Sequence, residues 1–182
     1  MVSVDWIETE RLVLREVTRD DAADMLRYLS DPGVVLPMGL EPFGSVEAVW
    51  DEIDWYRSIL ADGTGIRWGI TLKDSGKVIG SCGFLNRATQ HSRAEIGYEL
   101  SRDFWGRGIA AEALHAVLKF GFTQLSLNRI EALTEPANLP SQKLLEARGF
   151  MREGLLRDYE CTRGEFEDLY MYSVLKRDFR VE

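Results

Sequence analysis

Cysteine and histidine are scarce in this sequence of 182 residues, with only two of each. The two cysteines, Cys82 and Cys161, match neither the spacing of a zinc site nor a framework of disulfide bridges. We therefore expect no bound metal ion. Few free thiols in a chain of this length are typical of a reducing compartment.

Long apolar runs are also missing. No stretch of 18 apolar residues is present, so the sequence predicts no membrane span and no membrane partner. The N-terminus, MVSVDWIETERLVLRE, is interrupted early by acidic residues and has no apolar segment after a basic start, which is unlike a signal peptide. These features predict a cytoplasmic protein.

Positive charge is outnumbered by negative charge. Lysine and arginine total 22 and aspartate and glutamate total 30, so the net charge is −8 and the sequence pI is about 4.9. A nucleic-acid backbone is bound by a basic surface, so we expect no nucleic-acid partner. The acidity is compatible with a cationic acceptor such as an amine, and equally with a role in solubility alone. The length and ordinary composition favour one domain over residues 1–182.

Hydrophobic periodicity predicts the element order β-α-α-β-β-β-α-β-α-β-β, a mixed α/β fold. A helix capped by Thr18 is expected to end at Asp31-Pro32-Gly33, and Val34 to Gly44 to form a loop before a helix capped by Ser45. Strands are expected at 11–17, 67–72, 77–85, 94–101, 128–135, 150–160 and 165–176, helices at 110–125 and 141–148, and a polar loop at 86–93.

One glycine-bearing turn between a strand and a helix carries the main chemical signal: Trp105, Gly106, Arg107, Gly108, Ile109 and Ala110. Glycines let the backbone turn tightly and approach a ligand, and successive amide groups there form an anion site. The helix adds its unpaired N–H groups and positive dipole end, and Arg107 adds a charge. The turn thus predicts a pyrophosphate cradle, although a tight turn that binds nothing is the alternative. No GxxxxGK[ST] or GxGxxG motif indicates another nucleotide fold.

Asn138 is the second candidate, because it lies between a predicted strand and a predicted helix. Its side-chain amide can both donate to and accept from a ligand amide. The alternative from the residues alone is a helix N-cap or a turn residue.

The run YELSRDFWGRGIAAEAL, followed later by NLPSQKLLEARGF, resembles the GNAT acetyltransferase superfamily. It is most similar to the subgroup that contains the ribosomal-protein N-terminal acetyltransferases. The opening ETERLVLRE and the closing GEFEDLYMYSVLK are similar as well, so the resemblance covers nearly the whole chain. It implies a mixed, mostly antiparallel sheet that is splayed at the cofactor site, with helices on both faces. It also implies acetyl-CoA as co-substrate, without a metal.

The resemblance assigns the backbone of residues 105–110 to the pyrophosphate of coenzyme A. It assigns the splayed strand from Gly97 to Leu100, with Tyr98 and Leu100 as cofactor contacts, to the pantetheine arm. Asn138 is expected to meet the pantetheine or the acetyl-bearing end.

Two positions depart from the family pattern. Trp105 stands where the turn often begins with Gln or Arg, a change that leaves the backbone amides in place. Leu145 stands where many members have a tyrosine that donates a proton to the leaving thiolate, and leucine cannot do this. Ser141 is the nearest hydroxyl and resembles the subgroup's serine, so it is the candidate hydrogen-bond donor. Its alternative role is that of a helix-cap serine.

The implied reaction is direct attack of a neutral amine on the thioester in a ternary complex. An α-amine has a pKa near 7.7–8.0 and a lysine amine near 10.4, so an N-terminus needs only modest help from a base. Glu160 is the candidate base, since it corresponds to an acidic residue of the subgroup, and Glu99 and Glu95 are alternatives. The backbone N–H near Leu100 is expected to polarise the thioester carbonyl.

The acceptor is expected to be a peptide or protein N-terminal amine, and the resemblance suggests a ribosomal protein. A small amine such as a polyamine, an amino acid or an aminoglycoside is an alternative acceptor, and a coenzyme A sensor without catalysis is an alternative function. Related enzymes are often dimers, which leaves a homodimer open. Trp50 and Trp55 are candidate walls of an acceptor cleft, with core packing favoured for Trp50. An acyl-cysteine intermediate is disfavoured, because neither histidine lies at a telling distance from a cysteine.

Overall fold

A computed structural model describes residues 4–180. Eight strands form one sheet in the order β1-β2-β3-β4-β5-β6-β8-β7. The strands are β1 (Ile7–Glu8), β2 (Leu12–Arg15), β3 (Ile66–Leu72), β4 (Val78–Ala88), β5 (Arg93–Leu100), β6 (Arg129–Thr134), β7 (Met151–Thr162) and β8 (Glu165–Leu175). The helices are α1 (Ala22–Leu29), α2 (Pro32–Val35), α3 (Val46–Ala61), α4 (Ile109–Thr123) and α5 (Leu139–Ala147).

Every neighbouring strand pair is antiparallel except β5 and β6, which run parallel. The predicted mixed, mostly antiparallel sheet is therefore confirmed. The crossover between the parallel strands contains α4, because parallel neighbours need a connection long enough to return along the sheet.

Helices cover both faces of the sheet, as expected. Side chains of successive strand residues point to opposite faces. Trp68 and Ile70 belong to a hydrophobic cluster that includes residues of α4 and α5. Gly69, between them, lies against Val17 and Val78, which belong to a second cluster formed with α1, α2 and α3. A β-carbon at Gly69 would lie 2.4 Å from Val17, so this packing needs the bare glycine backbone.

The segment after α1 differs from the sequence expectation. Helix α1 ends at Leu29, in agreement with the helix end predicted at Asp31-Pro32-Gly33. The loop predicted after this run is wrong, because the run begins α2: the Asp31 side chain accepts a hydrogen bond from the N–H of Gly33, and Pro32 occupies the first turn. Proline is well tolerated there, since its missing N–H would have had no helical partner. A short 3₁₀ turn, Leu36–Met38, follows α2.

Other elements also differ from the predicted bounds. The two-residue strand β1 was not expected. Strand β4 continues into the predicted polar loop as far as Ala88, with an irregular register after Leu85 and a left-handed Asn86. Helix α5 begins at Leu139 and not at Ser141, because Asn138 caps it. Over residues 4–180, no helix has both the length and the apolar character needed to cross a bilayer.

The splay between β5 and β6 is confirmed. The two strands pair only at Arg93, Ala94 and Glu95 of β5, opposite Arg129, Ile130 and Glu131 of β6. Beyond Glu95 both strands continue without pairing to each other, β5 to Leu100 and β6 to Thr134. A wedge therefore opens between their carboxyl-terminal halves.

Candidate active site

The wedge leads into a cleft of about 520 Å³. The separated ends of β5 and β6, the turn before α4, the start of α5 and the Gly33–Gly39 segment line it. Ten of the eleven predicted site residues line this one cleft: Tyr98, Leu100, Trp105, Gly106, Gly108, Ile109, Ala110, Asn138, Ser141 and Glu160.

The glycine turn has the backbone that an anion cradle needs. Gly106 and Gly108 have φ values of 72° and 74°, in the left-handed region that favours glycine. A β-carbon on Gly106 would meet no atom within 4 Å, so this part of the turn faces open space. Gly108 is the N-cap of α4, and no side chain caps this end of the helix. The first-turn N–H groups of α4 thus remain available to an anion.

Arg107 is the predicted site residue that is missing from the cleft lining. Its guanidinium lies over the ring of Phe104, 5.4 Å from the ring centre. Its backbone carbonyl accepts a hydrogen bond of 2.8 Å from Nη1 of Arg11. Arg107 therefore takes part in the turn through its backbone, and its charge lies against an aromatic ring.

Trp105 ties the turn to the end of β5. Its indole Nε1 donates to the carbonyl of Leu100 at 2.8 Å. The guanidinium of Arg102 lies 5.5 Å from the indole centre and forms a bidentate pair with Asp31. Trp105 thus forms a direct link between the glycine turn and the splayed strand.

The backbone of Leu100 is turned toward the wedge. The N–H of the next residue, Ser101, donates to Ile79 at 2.7 Å, on the β4 side. Consecutive strand residues direct their backbone groups to opposite sides, so Leu100 directs its own toward the wedge. Its carbonyl is bonded to Trp105, which leaves its N–H as the group that can meet a ligand carbonyl.

Asn138 has the capping role that was the alternative reading of this residue, and it also lines the cleft. Its Oδ1 accepts a hydrogen bond of 3.2 Å from the N–H of Ser141. The cap uses only the oxygen of the side-chain amide and fixes the orientation of the group. The two hydrogens on Nδ2 remain for a ligand acceptor.

Ser141 is paired with Tyr98, which the sequence did not reveal. The two hydroxyl oxygens lie 2.7 Å apart, and both residues line the cleft. Burial raises the pKa of Tyr98 well above its ordinary value, against the opposing effect of the hydrogen bond with Ser141. The tyrosine hydroxyl therefore stays protonated and can donate to Ser141. Leu145 is fully buried in the core and has no part in this pair.

Three carboxylates line the part of the cleft away from the glycine turn: Glu95, Glu135 and Glu160. Burial raises the pKa of Glu95, and the neighbouring charge of Glu160 adds to this. Burial and a hydrogen bond with Glu167 raise the pKa of Glu135. Glu160 is exposed on β7, opposite Glu167 of β8. This concentration of negative charge would attract a cation.

Glu99 lines the cleft but is not a free base. Its carboxylate forms a buried ion pair with Arg67 and accepts a hydrogen bond from Ser81, and the hydroxyl of Tyr56 lies 3.5 Å away. Nearby Glu52 on α3 was not recognised in the sequence. Burial, with the added charge of Glu99, raises its pKa to about 7.

The remaining sequence candidates lie elsewhere. Cys82 is buried, and burial raises the pKa of its thiol to about 12, so the thiol stays protonated and is a poor nucleophile. Neither Trp50 nor Trp55 lines the cleft, and Trp50 packs against the cluster around α1 and α3. Within the described part of the chain, no cluster of three or more His, Cys, Asp or Glu residues could hold a metal ion.

Comparison with known proteins gives consistent matches. Residues 11–151 match the family model of the acetyltransferase (GNAT) domain. N-acetyltransferase p20 of Bacillus licheniformis is 44% identical over 97% of this chain and 99% of its own. The [ribosomal protein uS5]-alanine N-acetyltransferase of Escherichia coli is 27% identical over 95% of this chain and 92% of its own. The structure of Mycobacterium smegmatis RimJ in complex with CoA-disulfide superposes with a TM-score of 0.86 at 27% identity, over 98% of this chain and 90% of that one.

Proposed function

The chain belongs to the GNAT acetyltransferase family, and from this premise we propose that it acetylates the α-amine of a peptide or protein N-terminus. Family membership makes it an N-acetyltransferase that uses acetyl-CoA and an amine acceptor. The observation that carries the proposal is the form of the cleft: one wedge between β5 and β6 has an anion cradle at one end and carboxylates at the other.

The cofactor would lie along the wedge with its diphosphate on the turn from Trp105 to Ala110. Backbone N–H groups and the uncapped end of α4 suit a diphosphate, because their positive ends converge without needing side-chain charge. The pantetheine arm would follow the unpaired backbone of β5 up to Leu100. Nδ2 of Asn138, oriented by its cap, would donate to a pantetheine carbonyl.

In the transfer step, the amine nitrogen attacks the acetyl carbonyl carbon, the carbon–sulfur bond breaks, and coenzyme A leaves as a thiolate. The N–H of Leu100 would stabilise the developing negative charge on the carbonyl oxygen. The hydroxyl of Ser141 would donate a hydrogen bond to the sulfur, supported by Tyr98. A thiol has a pKa near 8.5, and that of Tyr98 is far higher. This pair therefore stabilises the thiolate without giving up a proton.

Glu160 would take the proton that the amine loses, directly or through a water molecule. It is exposed at the acidic end of the cleft, so it can meet a large acceptor, and Glu95 is the alternative. An N-terminal α-amine has a pKa near 7.7–8.0 and needs only modest deprotonation. The more distant E. coli relative is named for acetylating an N-terminal alanine, which agrees with this acceptor class.

A small polyamine is the second candidate acceptor, because three carboxylates lie together at this end of the cleft. The two candidates separate in an assay of acetyl-CoA-dependent thiol release. The panel would contain peptides with free N-terminal alanine or serine, the same peptides with blocked N-termini and an internal lysine, and spermidine. We expect turnover with the free N-termini. Turnover with spermidine alone would show that the acceptor is a polyamine and not a peptide N-terminus. Binding of acetyl-CoA without any turnover would indicate a sensor.

The role of Glu160 is tested in the same assay with Glu160→Gln. We expect turnover to fall most at low pH, where less of the acceptor is already neutral. Glu165→Gln is the matched control, because Glu165 is an exposed glutamate on β8 outside the cleft lining. A pH profile equal to that of the control would remove Glu160 as the base.

A further inference from the structure

We propose that Arg11, Thr9 and Glu112 form an anchor that holds the diphosphate turn in its binding geometry and cancels an adverse charge beside it. The inference rests on the proposed cofactor site at residues 105–110. It gives a function to part of the opening ETERLVLRE, which contributes no residue to the cleft lining.

The contacts of the anchor are extensive. The Glu112 carboxylate accepts three hydrogen bonds through Oε1 and Oε2: from the Thr9 hydroxyl at 2.6 Å, from the backbone N–H of Arg11 at 2.9 Å and from Nε of Arg11 at 2.6 Å. Nη1 of Arg11 donates to the carbonyl of Arg107 at 2.8 Å. One guanidinium thus joins the N-terminal segment to both the first turn of α4 and the glycine turn.

The contact with Arg107 sets the direction of a neighbouring amide. The carbonyl of Arg107 and the N–H of Gly108 belong to one planar peptide group and point in opposite directions. Since the carbonyl points to Arg11, the N–H of Gly108 points away from Arg11. Gly108 itself lines the cleft, and the Nη2 atom of Arg11 lies 3.4 Å from the position of a β-carbon on it. Arg11 therefore supports the turn from outside the cleft and helps to aim its amides.

The charge of Glu112 needs compensation. Glu112 lies in the first turn of α4, the helix end proposed to bind a diphosphate. Burial alone would raise the pKa of this carboxyl, but the hydrogen bonds from Thr9 and Arg11 lower it overall, so Glu112 is ionised at neutral pH. An unpaired carboxylate there would repel the ligand. Arg11 gives the pair a net charge of zero.

The test compares Arg11→Gln, Glu112→Gln and the double variant with Arg15→Gln. Arg15, on β2, is the matched control, because it forms a similar bidentate pair with Asp21 and does not line the cleft. Acetyl-CoA affinity is measured by calorimetry, and kcat/KM is measured with acetyl-CoA and with S-acetylpantetheine, which has no diphosphate. Thermal unfolding is recorded for each variant.

We expect Arg11→Gln to weaken acetyl-CoA binding on the order of tenfold, because a charge-assisted contact is lost and Glu112 is left unpaired. Its kcat/KM with S-acetylpantetheine should stay within about twofold of wild type, as that substrate does not use the turn. The double variant should bind acetyl-CoA more tightly than Arg11→Gln, since the unpaired carboxylate is gone. Arg15→Gln should bind normally.

Acetyl-CoA binding by Arg11→Gln within twofold of wild type would overturn the anchor, and so would an equal loss with both substrates. A double variant no better than Arg11→Gln would overturn the charge compensation. Gly108→Glu separates this inference from the site on which it rests, because it places bulk and negative charge in the cradle itself. If Gly108→Glu abolishes binding and Arg11→Gln does not weaken it, only the anchor fails. If neither has an effect, the cofactor site at residues 105–110 fails.

Discussion

Replacing Glu99 by glutamine should destabilise the protein strongly, because Glu99 forms a buried ion pair with Arg67 in the wall of the cleft. The side chains of Arg67 and Glu99 are 4% and 2% exposed. Removing one partner of such a pair leaves a buried charge without compensation, at a cost of about 3–5 kcal/mol. In a domain of this size, 1 kcal/mol lowers the Tm by about 2–4 °C. The expected fall is therefore roughly 6–20 °C.

The matched control is Glu16→Gln, which breaks a pair between the same residue types at the surface. Arg57 and Glu16 are 45% and 46% exposed and lie 3.8 Å apart, and a surface pair of this kind contributes about 0–1 kcal/mol. Its Tm should fall by less than about 4 °C. Scanning calorimetry of both variants at pH 7 measures the difference. Equal Tm values would refute the reasoning, because removing one partner of the Arg67–Glu99 pair would then cost no more stability than breaking a surface pair.

The Glu99 variant also bears on catalysis. At a temperature well below its Tm, the shape of its pH–rate profile should match that of wild type, because both Arg67 and Ser81 engage the carboxylate and it is not available as a base. If the fall in rate at low pH disappeared from the profile of this variant, Glu99 would be identified as the base.

Three further outcomes are expected. Asn138→Asp should keep the cap on α5 and the wild-type Tm but raise the KM for acetyl-CoA. Asn138→Ala should raise the KM as well and also lose about 1 kcal/mol of stability. An unchanged KM in both variants would mean that Asn138 serves only as a helix cap. Tyr98→Phe should lower kcat about 2–10-fold with little change in KM. This loss of kcat should be smaller with a thioester of a more acidic thiol. An equal loss with both thioesters would contradict the role of Tyr98 in stabilising the leaving group. The pKa of Glu52 is raised to about 7 in the folded state. Between about pH 4.5 and 7, the folded state therefore holds a proton that the unfolded state has released, so stability should fall as pH rises through this window. Glu52→Gln should therefore raise the Tm at pH 8 and leave it unchanged at pH 4, and the same Tm difference at both values would contradict the linkage.

The parts of the site that the sequence could predict depend on local backbone needs. Gly106 and Gly108 adopt left-handed conformations that other residues adopt at a cost, so the requirement is visible in the residue type. Asn138 precedes a helix, and its capping chemistry is likewise local. The splay itself came from family resemblance, since nothing in the residue pattern of β5 and β6 shows where their pairing stops.

The contacts that the sequence did not reveal join residues far apart in the chain. In the sequence, Arg67 has the pattern of an exposed charged residue on a strand. The pairing of β3, β4 and β5 places it instead beside Ser81 and Glu99. Tyr98 meets Ser141 across the wedge only because the strands diverge there. The start of α2 was missed for a different reason: Asp31-Pro32 both follows the end of one helix and begins the next, and only the capping hydrogen bond reveals the second role.

The proposed site has to bind an anion on a chain whose net charge is −8. The arginines around the cradle are already engaged: Arg11 pairs with Glu112, Arg102 pairs with Asp31, and Arg107 lies on Phe104. The attraction for a diphosphate must therefore come mainly from backbone N–H groups and the end of α4, which carry no titratable charge. This arrangement leaves the carboxylates at the other end of the wedge free to attract the amine. Fixed dipoles at one end and carboxyl groups at the other let one cleft receive two ligands of opposite charge, which a cradle built from free lysines beside those carboxyl groups would not.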